Sequence, residues 1–432
     1  MKLHALFKKS VSYIFFNAIN GAIPFLLLPL LTHYLSPADY GLVSLFQTTM
    51  LFIIPLVGLS MGFNIDRLFF KVEKEQLSVT IGNMVLILLG MVTLFTVLIV
   101  VASFFSDLDF IGIPIEWLYV IPLISGFVTI NGFNLIILRN KDSVAEFGFW
   151  QIGLTVLNLG LSLIFVVALL YGWEGRVLGI TIATIVLGIG SLYNIYRHGY
   201  LSFVLKRDEI NDVLRICFPL LLQGLGAFVI FKSNLYFINA FVSKSAVGIY
   251  AVAAAFAAIM GIFQDALAKT INPWFYKNLN DFDEKMKIKV LSMNLIINFL
   301  FLVMAVVIYF VSKVLINFMV DEEFYSAISL VLLLTLASSF NGMYKISSVY
   351  FIHLSKTKLL SILTSIVAII SVGLNYFFIK ENGVLGACYA LLISLLIQFL
   401  LTAIYAQKIY PMPFNEVFFL FRYKLKNILK KH

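Results

Sequence analysis

The stretch TIGNMVLILLGMVTLFTVLIVVAS, from Thr80 to Ser103, contains no acidic or basic residue. About 20 apolar residues are needed to cross the ~30 Å hydrocarbon core of a bilayer. The stretch is therefore predicted to form a transmembrane helix. Similar apolar runs recur along the whole chain, which excludes a soluble domain carried by a single anchor.

The composition of all 432 residues gives the same indication. Hydrophobic residues make up 61% of the chain, charged residues 12%, and the mean hydropathy is +0.99. Soluble domains are about 45–50% apolar and about 25% charged, so this chain cannot cover its surface with polar groups. We predict an all-α, multi-pass integral membrane protein. Its net charge of +9 follows from membrane topology, described next, and gives no reason to expect a nucleic-acid partner.

The apolar runs and the polar breaks between them predict twelve transmembrane helices. The first six spans are 11–35, 40–66, 78–104, 113–138, 145–171 and 176–197, and the second six are 213–241, 246–272, 288–312, 325–352, 358–379 and 384–408. Of the 31 Lys and Arg residues, 25 fall at the termini, in the even-numbered loops or at the span ends next to them. Because basic residues concentrate in cytoplasmic loops, we predict that both termini are cytoplasmic.

The chain also contains an internal repeat with an offset of 207 residues. Ser36 and Gly41 match Ser243 and Gly248. Far downstream, a second match at the same offset joins two longer segments, Glu174-x-x-Val177-Leu178-Gly179-x-x-x-Ala183 and Glu381-x-x-Val384-Leu385-Gly386-x-x-x-Ala390. Six spans per repeat give the two halves the same orientation, as in transporters that bind their substrate between two pseudo-symmetric bundles.

This repeat predicts two six-helix lobes, 1–198 and 213–410, joined by a charged cytoplasmic linker at 199–212. The last segment, 411–432, mixes Phe and Leu with Arg and Lys after two prolines. It is predicted to form a basic amphipathic helix on the cytoplasmic leaflet, the alternative being a disordered basic tail.

No enzyme motif is present, and neither nucleotide-binding loops nor metal-ligand spacings occur. We predict that the protein is not an enzyme and that it uses no cofactor or metal. The two cysteines, Cys217 and Cys388, lie within predicted spans and are interpreted as small buried hydrophobic residues.

Polar residues inside spans are costly in lipid, and they therefore indicate candidate functional sites. Several of them recur at helical spacing along one face of a span, and these stripes either line a cavity between the lobes or pack helices together. The candidate cavity residues on three spans are Ser338, Asn341, Lys345 and Ser348 on span 10, Gln151 and Asn158 on span 5, and Asn17 on span 1.

Charged residues add further candidates. Lys345 is predicted to face the cavity, although its ammonium group could instead reach the membrane interface. Asp265 and Lys269 on span 8 are four residues apart and are predicted to form a gating pair. Lys232 and Arg67 are weaker candidates for binding substrate, and Arg67 could serve only as an interface anchor.

Four short segments resemble one known family. They are LTHYLSPADYGL at 31–42, DRLFF at 66–70, FVSKSAVGIYA at 241–251 and NPWF at 272–275. With the twelve predicted spans, they are similar to the polysaccharide transporters of the MOP superfamily (multidrug/oligosaccharidyl-lipid/polysaccharide), in particular the O-antigen or capsule repeat-unit flippases called Wzx. These motifs are diffuse and indicate the superfamily better than the substrate.

The resemblance implies a MATE-like, V-shaped pair of six-helix bundles in a bacterial cytoplasmic (inner) membrane. The implied substrate is an oligosaccharide on undecaprenyl pyrophosphate, whose pyrophosphate would meet basic cavity residues. Membrane lipids are further partners, and the polysaccharide polymerase and chain-length regulator of the same pathway are candidates. One departure is that few cations lie deep in spans 1, 2 and 7.

Two alternatives belong to other classes. A MATE-type antiporter of drugs or organic cations needs unpaired carboxylates, whereas the span acids Asp66 and Asp265 each have a basic neighbour. A membrane-embedded glycosyltransferase or polymerase would carry large extracytoplasmic loops, and every odd-numbered loop here is short.

Overall fold

A computed structural model describes residues 25, 27–105, 108–279, 283–414 and 416. Within these ranges the regular structure is entirely helical. The α-helices, in chain order, are α1 Leu28–Tyr34, α2 Pro37–Gly58, α3 Gly62–Leu68, α4 Lys74–Phe105, α5 Ile115–Asn140, α6 Val144–Leu163, α7 Gly172–Arg197, α8 Arg207–Lys232, α9 Asn234–Phe241, α10 Lys244–Leu279, α11 Glu284–Met319, α12 Ile328–His353 and α13 Thr357–Ile409. The predicted amphipathic tail helix and most of span 1, including Asn17, lie outside the described residues.

Ten helical segments in the described part of the chain are long and apolar enough to cross a membrane. One of them, α13, has 53 residues and contains a non-helical residue, Gly383, with φ 58° and ψ −136°. At 1.5 Å per residue, each arm beside Gly383 is about long enough to cross the bilayer. The prediction of an all-helical, multi-pass membrane protein is confirmed, and α13 accommodates both span 11 and span 12.

Two predicted spans are interrupted. Span 2 was expected to run without a break from 40 to 66, but α2 ends at Gly58 and α3 begins at Gly62. Between them Leu59 and Ser60 have φ of 46° and 54°, a left-handed conformation that cannot continue a helix. Span 7 is likewise divided into α8 and α9. Hydropathy did not reveal the break at Leu59 and Ser60, because it lies in an apolar run, whereas the break in span 7 coincides with the polar residues Lys232, Ser233 and Asn234.

The chain divides into two compact units. Unit 1 contains the residues up to Phe228 together with Leu235–Ala251 and Met319–Phe324. Unit 2 contains Val229–Asn234, Val252–Phe318 and the residues from Tyr325 onward. The core of unit 2 is apolar and aromatic, with fully buried side chains such as Met260, Phe301 and Phe351.

Both copies of the repeated serine begin a helix. Ser36 precedes α2, where its hydroxyl accepts a hydrogen bond from the Asp39 backbone N–H, and the Asp39 carboxylate accepts one from the Ser36 N–H. Ser243 precedes α10, where its hydroxyl accepts a hydrogen bond from the Ala246 N–H at 3.1 Å. A side chain that caps a helix in this way typically stabilises it by about 1 kcal/mol. The repeated motif is therefore a helix start in both halves.

Several odd-numbered loops meet within unit 1. The Asn239 amide donates to the Phe110 carbonyl at 3.2 Å, which joins the end of span 7 to the loop after span 3. The His33 ring lies 3.9 Å from the Asp321 carboxylate, and Tyr40 packs edge-on against Phe324. These contacts place the loops after spans 1, 3 and 9 at one end of the unit. The arrangement is consistent with the predicted topology, in which all odd-numbered loops lie on the same side of the membrane.

The segment between the two halves packs against α4. Gly82 is required there, because a Cβ at this position would lie 2.0 Å from the Ser202 carbonyl oxygen. The buried Asn83 side chain donates to the Val204 carbonyl at 3.0 Å and accepts from the Lys206 N–H at 3.3 Å. Asn83, a polar residue inside an otherwise apolar span, thus fixes the linker to α4, the helix that contains the apolar stretch from Thr80 to Ser103.

Candidate functional site

The polar stripe predicted on span 10 packs against α10 within unit 2. The Gln264 amide donates to the Ser338 carbonyl at 2.5 Å, and the Asn341 amide donates to the Gln264 side-chain oxygen at 3.4 Å. One turn further along α12, the Lys345 ammonium donates to the Asp265 carboxylate at 2.7 Å. The stripe therefore forms a polar seam between α10 and α12. Its fourth member, Ser348, is buried and donates to the Lys345 carbonyl of its own helix.

The ion pair in this seam differs from the predicted one. Asp265 was expected to pair with Lys269, four residues later on the same helix, but its partner in the structure is Lys345 on α12. Lys269 makes no ion pair with any described residue. Helical spacing identifies partners on one helix, whereas the facing helix supplied a nearer cation here. The Asp265 and Lys345 side chains remain 61% and 36% exposed, so an incoming polar group could compete for either one.

A second ion pair lies in unit 1, where the ends of predicted spans 2 and 4 meet. The Arg139 guanidinium donates to both oxygens of Asp66, at 2.8 and 2.7 Å, and the Asn140 amide donates to the same carboxylate at 2.9 Å. Arg67 instead donates to the Asn64 side-chain oxygen at 3.0 Å. Asp66 is thus neutralised by a cation from another helix, while Arg67 has a neutral partner.

The polar stripe on α6 has an unexpected partner. Asn158 and Ser162 both accept hydrogen bonds from the guanidinium of Arg176, at the start of α7, and the bond to Ser162 is 2.5 Å long. Arg176 is only 6% exposed. Arg176 is the first residue of the predicted span 6 and was not among the candidate residues. The signal that could have revealed it is the pair of flanking glycines, Gly175 and Gly179, which allow two helices to approach closely.

Gln151 lies on α6 two turns before Asn158 and is half-buried. Lys232 is also half-buried and ends α8 in unit 2. It forms no hydrogen bond or ion pair with the residues that the structure describes. Its neighbour Ser233 accepts a hydrogen bond from the Asn375 amide at 3.2 Å, which ties this point of the chain to α13.

A group of basic residues lies beyond the membrane-spanning part of α7. Lys74 and Lys141 each place their ammonium group over the Tyr200 ring, at 5.1 and 5.9 Å from its centre. His198 lies 3.5 Å from the Glu146 carboxylate. Even so, desolvation and the nearby Lys141 hold the pKa of His198 below its usual value of 6.5, because they outweigh the effect of Glu146. Burial raises the pKa of the Tyr200 phenol.

Similarity to solved structures identifies the fold. An inward-facing multidrug resistance MATE family transporter of the MOP superfamily superposes with a TM-score of 0.70 at 17% identity, covering 90% of this chain and 94% of that one. The lipid II flippase MurJ, in an inward closed conformation, superposes with a TM-score of 0.69 at 14% identity, covering 95% of this chain and 89% of that one. The fold is therefore that of the MOP transporters.

The family follows from the sequence profile of the polysaccharide biosynthesis proteins, which matches residues 6–279. This chain belongs to that family. Protein 1 of the Lsg locus of Haemophilus influenzae is 25% identical over 399 residues, covering 88% of this chain and 95% of that protein. An uncharacterized membrane protein of the same organism is 23% identical over 294 residues, covering 66% and 68%. The family is that of the polysaccharide biosynthesis proteins, and the fold is that of the MOP transporters, as the sequence predicted.

Proposed function

We propose that this chain is a flippase that carries oligosaccharide units linked to undecaprenyl pyrophosphate from the inner to the outer leaflet of the bacterial cytoplasmic membrane. The units would be the building blocks of O-antigen, capsule or another surface polysaccharide. Membership of the polysaccharide biosynthesis family and the MOP fold support a transporter of this pathway. A polymerase and a chain-length regulator would act on the product after it reaches the outer leaflet.

The main support for the proposal is which charged side chains have a partner of opposite charge and which do not. Two acids within predicted spans are neutralised by a cation from another helix, Asp66 by Arg139 and Asp265 by Lys345, while Glu116 and Glu146 lie in the first residues of spans 4 and 5. By contrast, Arg176 and Lys232 have no carboxylate partner among the described residues. A transported cation would need a free carboxylate, whereas a transported pyrophosphate needs free cations. The charges therefore favour an anionic substrate.

The same observation weighs against the second candidate, a MATE-type antiporter of organic cations. MATE transporters share the fold, but a structural similarity at 17% sequence identity does not show that two proteins have the same substrate. An antiporter of this kind would have to open the Asp265–Lys345 or Asp66–Arg139 pair before it could bind a cation. That step would leave Lys345 or Arg139 without its counter-charge, which weighs against this candidate.

Deletion of this gene in its own bacterium tests the proposal. We expect loss of a surface polysaccharide and accumulation of its lipid-linked unit on the cytoplasmic side, both reversed by the gene on a plasmid. Resistance to organic cations, measured in the same strains, should not change. Normal polysaccharide together with a loss of cation resistance would overturn the proposal in favour of the antiporter.

A further inference from the structure

Arg176 is a buried cation whose hydrogen bonds are incomplete. One terminal nitrogen donates to Asn158 and Ser162, both of them neutral groups. The Nε atom is buried and has no hydrogen-bond partner. No carboxylate in the described ranges forms an ion pair with the guanidinium. A buried charge without a counter-charge is costly, so a side chain of this kind is a candidate for function.

The position of Arg176 is determined by close packing between α6 and α7. A Cβ on Gly179 would lie 2.6 Å from the Ser162 hydroxyl, and a Cβ on Gly175 would lie 2.9 Å from the Phe165 carbonyl. Phe165 belongs to a π-helical turn, Ile164–Ala168, which continues α6. Such turns are rare and often occur at functional sites. The two glycines and the turn bring the polar face of α6 against the guanidinium.

The internal repeat shows that the fold does not require this arginine. At an offset of 207 residues, Val177, Leu178 and Gly179 are matched by Val384, Leu385 and Gly386, but Arg176 is matched by Gly383. The partners Asn158 and Ser162 are matched by Ser365 and Ile369. The second half therefore contains the corresponding helix start without a cation. The arginine therefore has a role that is specific to the first half of the chain.

We propose that Arg176, supported by Asn158 and Ser162, binds an oxyanion of the transported unit, a phosphate or a sugar carboxylate. This inference rests on the proposed function. A guanidinium suits such a ligand because its planar N–H groups bind two oxygens at once. Within the predicted topology, α7 begins at the extracytoplasmic side, and Tyr40 at the start of α2 lies within electrostatic range of the guanidinium. The site would therefore bind the unit near its exit.

Thermal unfolding of the purified full-length protein tests the binding. The probes are pyrophosphate and glucuronate, with chloride at equal ionic strength as the control. We expect pyrophosphate or glucuronate to raise the unfolding temperature of the wild-type protein, and the effective one identifies the source of the oxyanion. Arg176→Gln should increase the anion concentration needed for this rise in unfolding temperature at least tenfold. Arg197→Gln, which removes an exposed arginine at the other end of α7, should leave it unchanged.

Asn158→Asp provides a second test that does not depend on removing the arginine. The new carboxylate would neutralise Arg176 directly, so the protein should fold and yet lose its response to the anions. Surface polysaccharide should fall at least tenfold with either variant in the deletion strain. Full polysaccharide with Arg176→Gln, or an unchanged anion response with Asn158→Asp, would overturn the inference. If the wild-type gene itself does not restore polysaccharide, the proposed function is wrong. The anion response of the purified protein still tests the binding by Arg176 on its own.

Discussion

Gly41 and Gly248 lie backbone to backbone in unit 1, although 207 residues separate them in the chain. A Cβ on Gly41 would lie 2.1 Å from the Lys244 carbonyl oxygen and 3.2 Å from the Gly248 nitrogen. A Cβ on Gly248 would lie 2.0 Å from the Pro37 carbonyl oxygen and 3.1 Å from the Gly41 nitrogen. The two copies of the repeated motif thus contact each other where α2 and α10 begin, and each glycine makes room for the other helix.

This contact predicts that Gly41→Ala destabilises the protein. The added methyl group collides with a backbone carbonyl, which cannot rotate away as a flexible side chain can. We expect the free energy of unfolding to fall by about 1–3 kcal/mol, as for other overpacked sites. Thermal unfolding in detergent measures the change. Gly90→Ala is the matched control, because nothing lies within 4 Å of a Cβ at that position in α4. Equal unfolding temperatures for the two variants would contradict the close contact.

Lys345 is predicted to contribute directly to transport. We propose that the Lys345 ammonium exchanges Asp265 for the pyrophosphate during transport, so Lys345→Ala would remove a charge-assisted hydrogen bond of about 1.5–3 kcal/mol. Transport should therefore slow roughly ten- to a hundredfold, measured as surface polysaccharide in the deletion strain. Lys345→Arg keeps the charge and should retain much of the activity. Lys269→Ala, on the exposed face of α10, is the control and should transport normally. If Lys345→Ala inserts normally and supports full polysaccharide, Lys345 is only an interface anchor.

The environment of His198 predicts a pH-dependent stability. Its pKa in the folded protein lies below 6.5, so below that pH the unfolded chain binds a proton more readily than the folded one. The free energy of unfolding should fall as the pH decreases below about 6.5, and His198 should contribute nothing at higher pH. His198→Gln should reduce this loss. Identical pH profiles for wild-type protein and His198→Gln would exclude the effect.

Cysteine labelling in intact cells tests the predicted topology. The native cysteines, Cys217 and Cys388, are buried and should not react. Lys244→Cys lies in an odd-numbered loop and should react with a membrane-impermeant maleimide from outside. Lys206→Cys lies in the linker and should react only after the membrane is permeabilised. The reverse pattern would place both termini outside the cytoplasm.

Hydropathy and basic-residue counts were enough to predict the fold class, because lipid imposes long apolar helices whatever the packing. The contacts within the site depend on packing and were harder to predict. Asp265 pairs with Lys345 because α12 faces α10, and no spacing within one helix shows which helix is its neighbour. Arg176 was not among the predicted candidates because charge counting does not detect burial. The break at Leu59 and Ser60 was missed because neither residue type favours a left-handed conformation.

The central claim is that the chain moves a lipid-linked oligosaccharide, and translocation by the purified protein tests it most directly. Full-length protein is reconstituted into vesicles that contain a fluorescent undecaprenyl-pyrophosphate oligosaccharide taken from its own bacterium. A membrane-impermeant quencher then reports which leaflet holds the probe. We predict protein-dependent movement between leaflets that Lys345→Ala and Arg176→Gln slow at least tenfold. Vesicles that hold folded protein but move the probe no faster than protein-free vesicles would contradict the account.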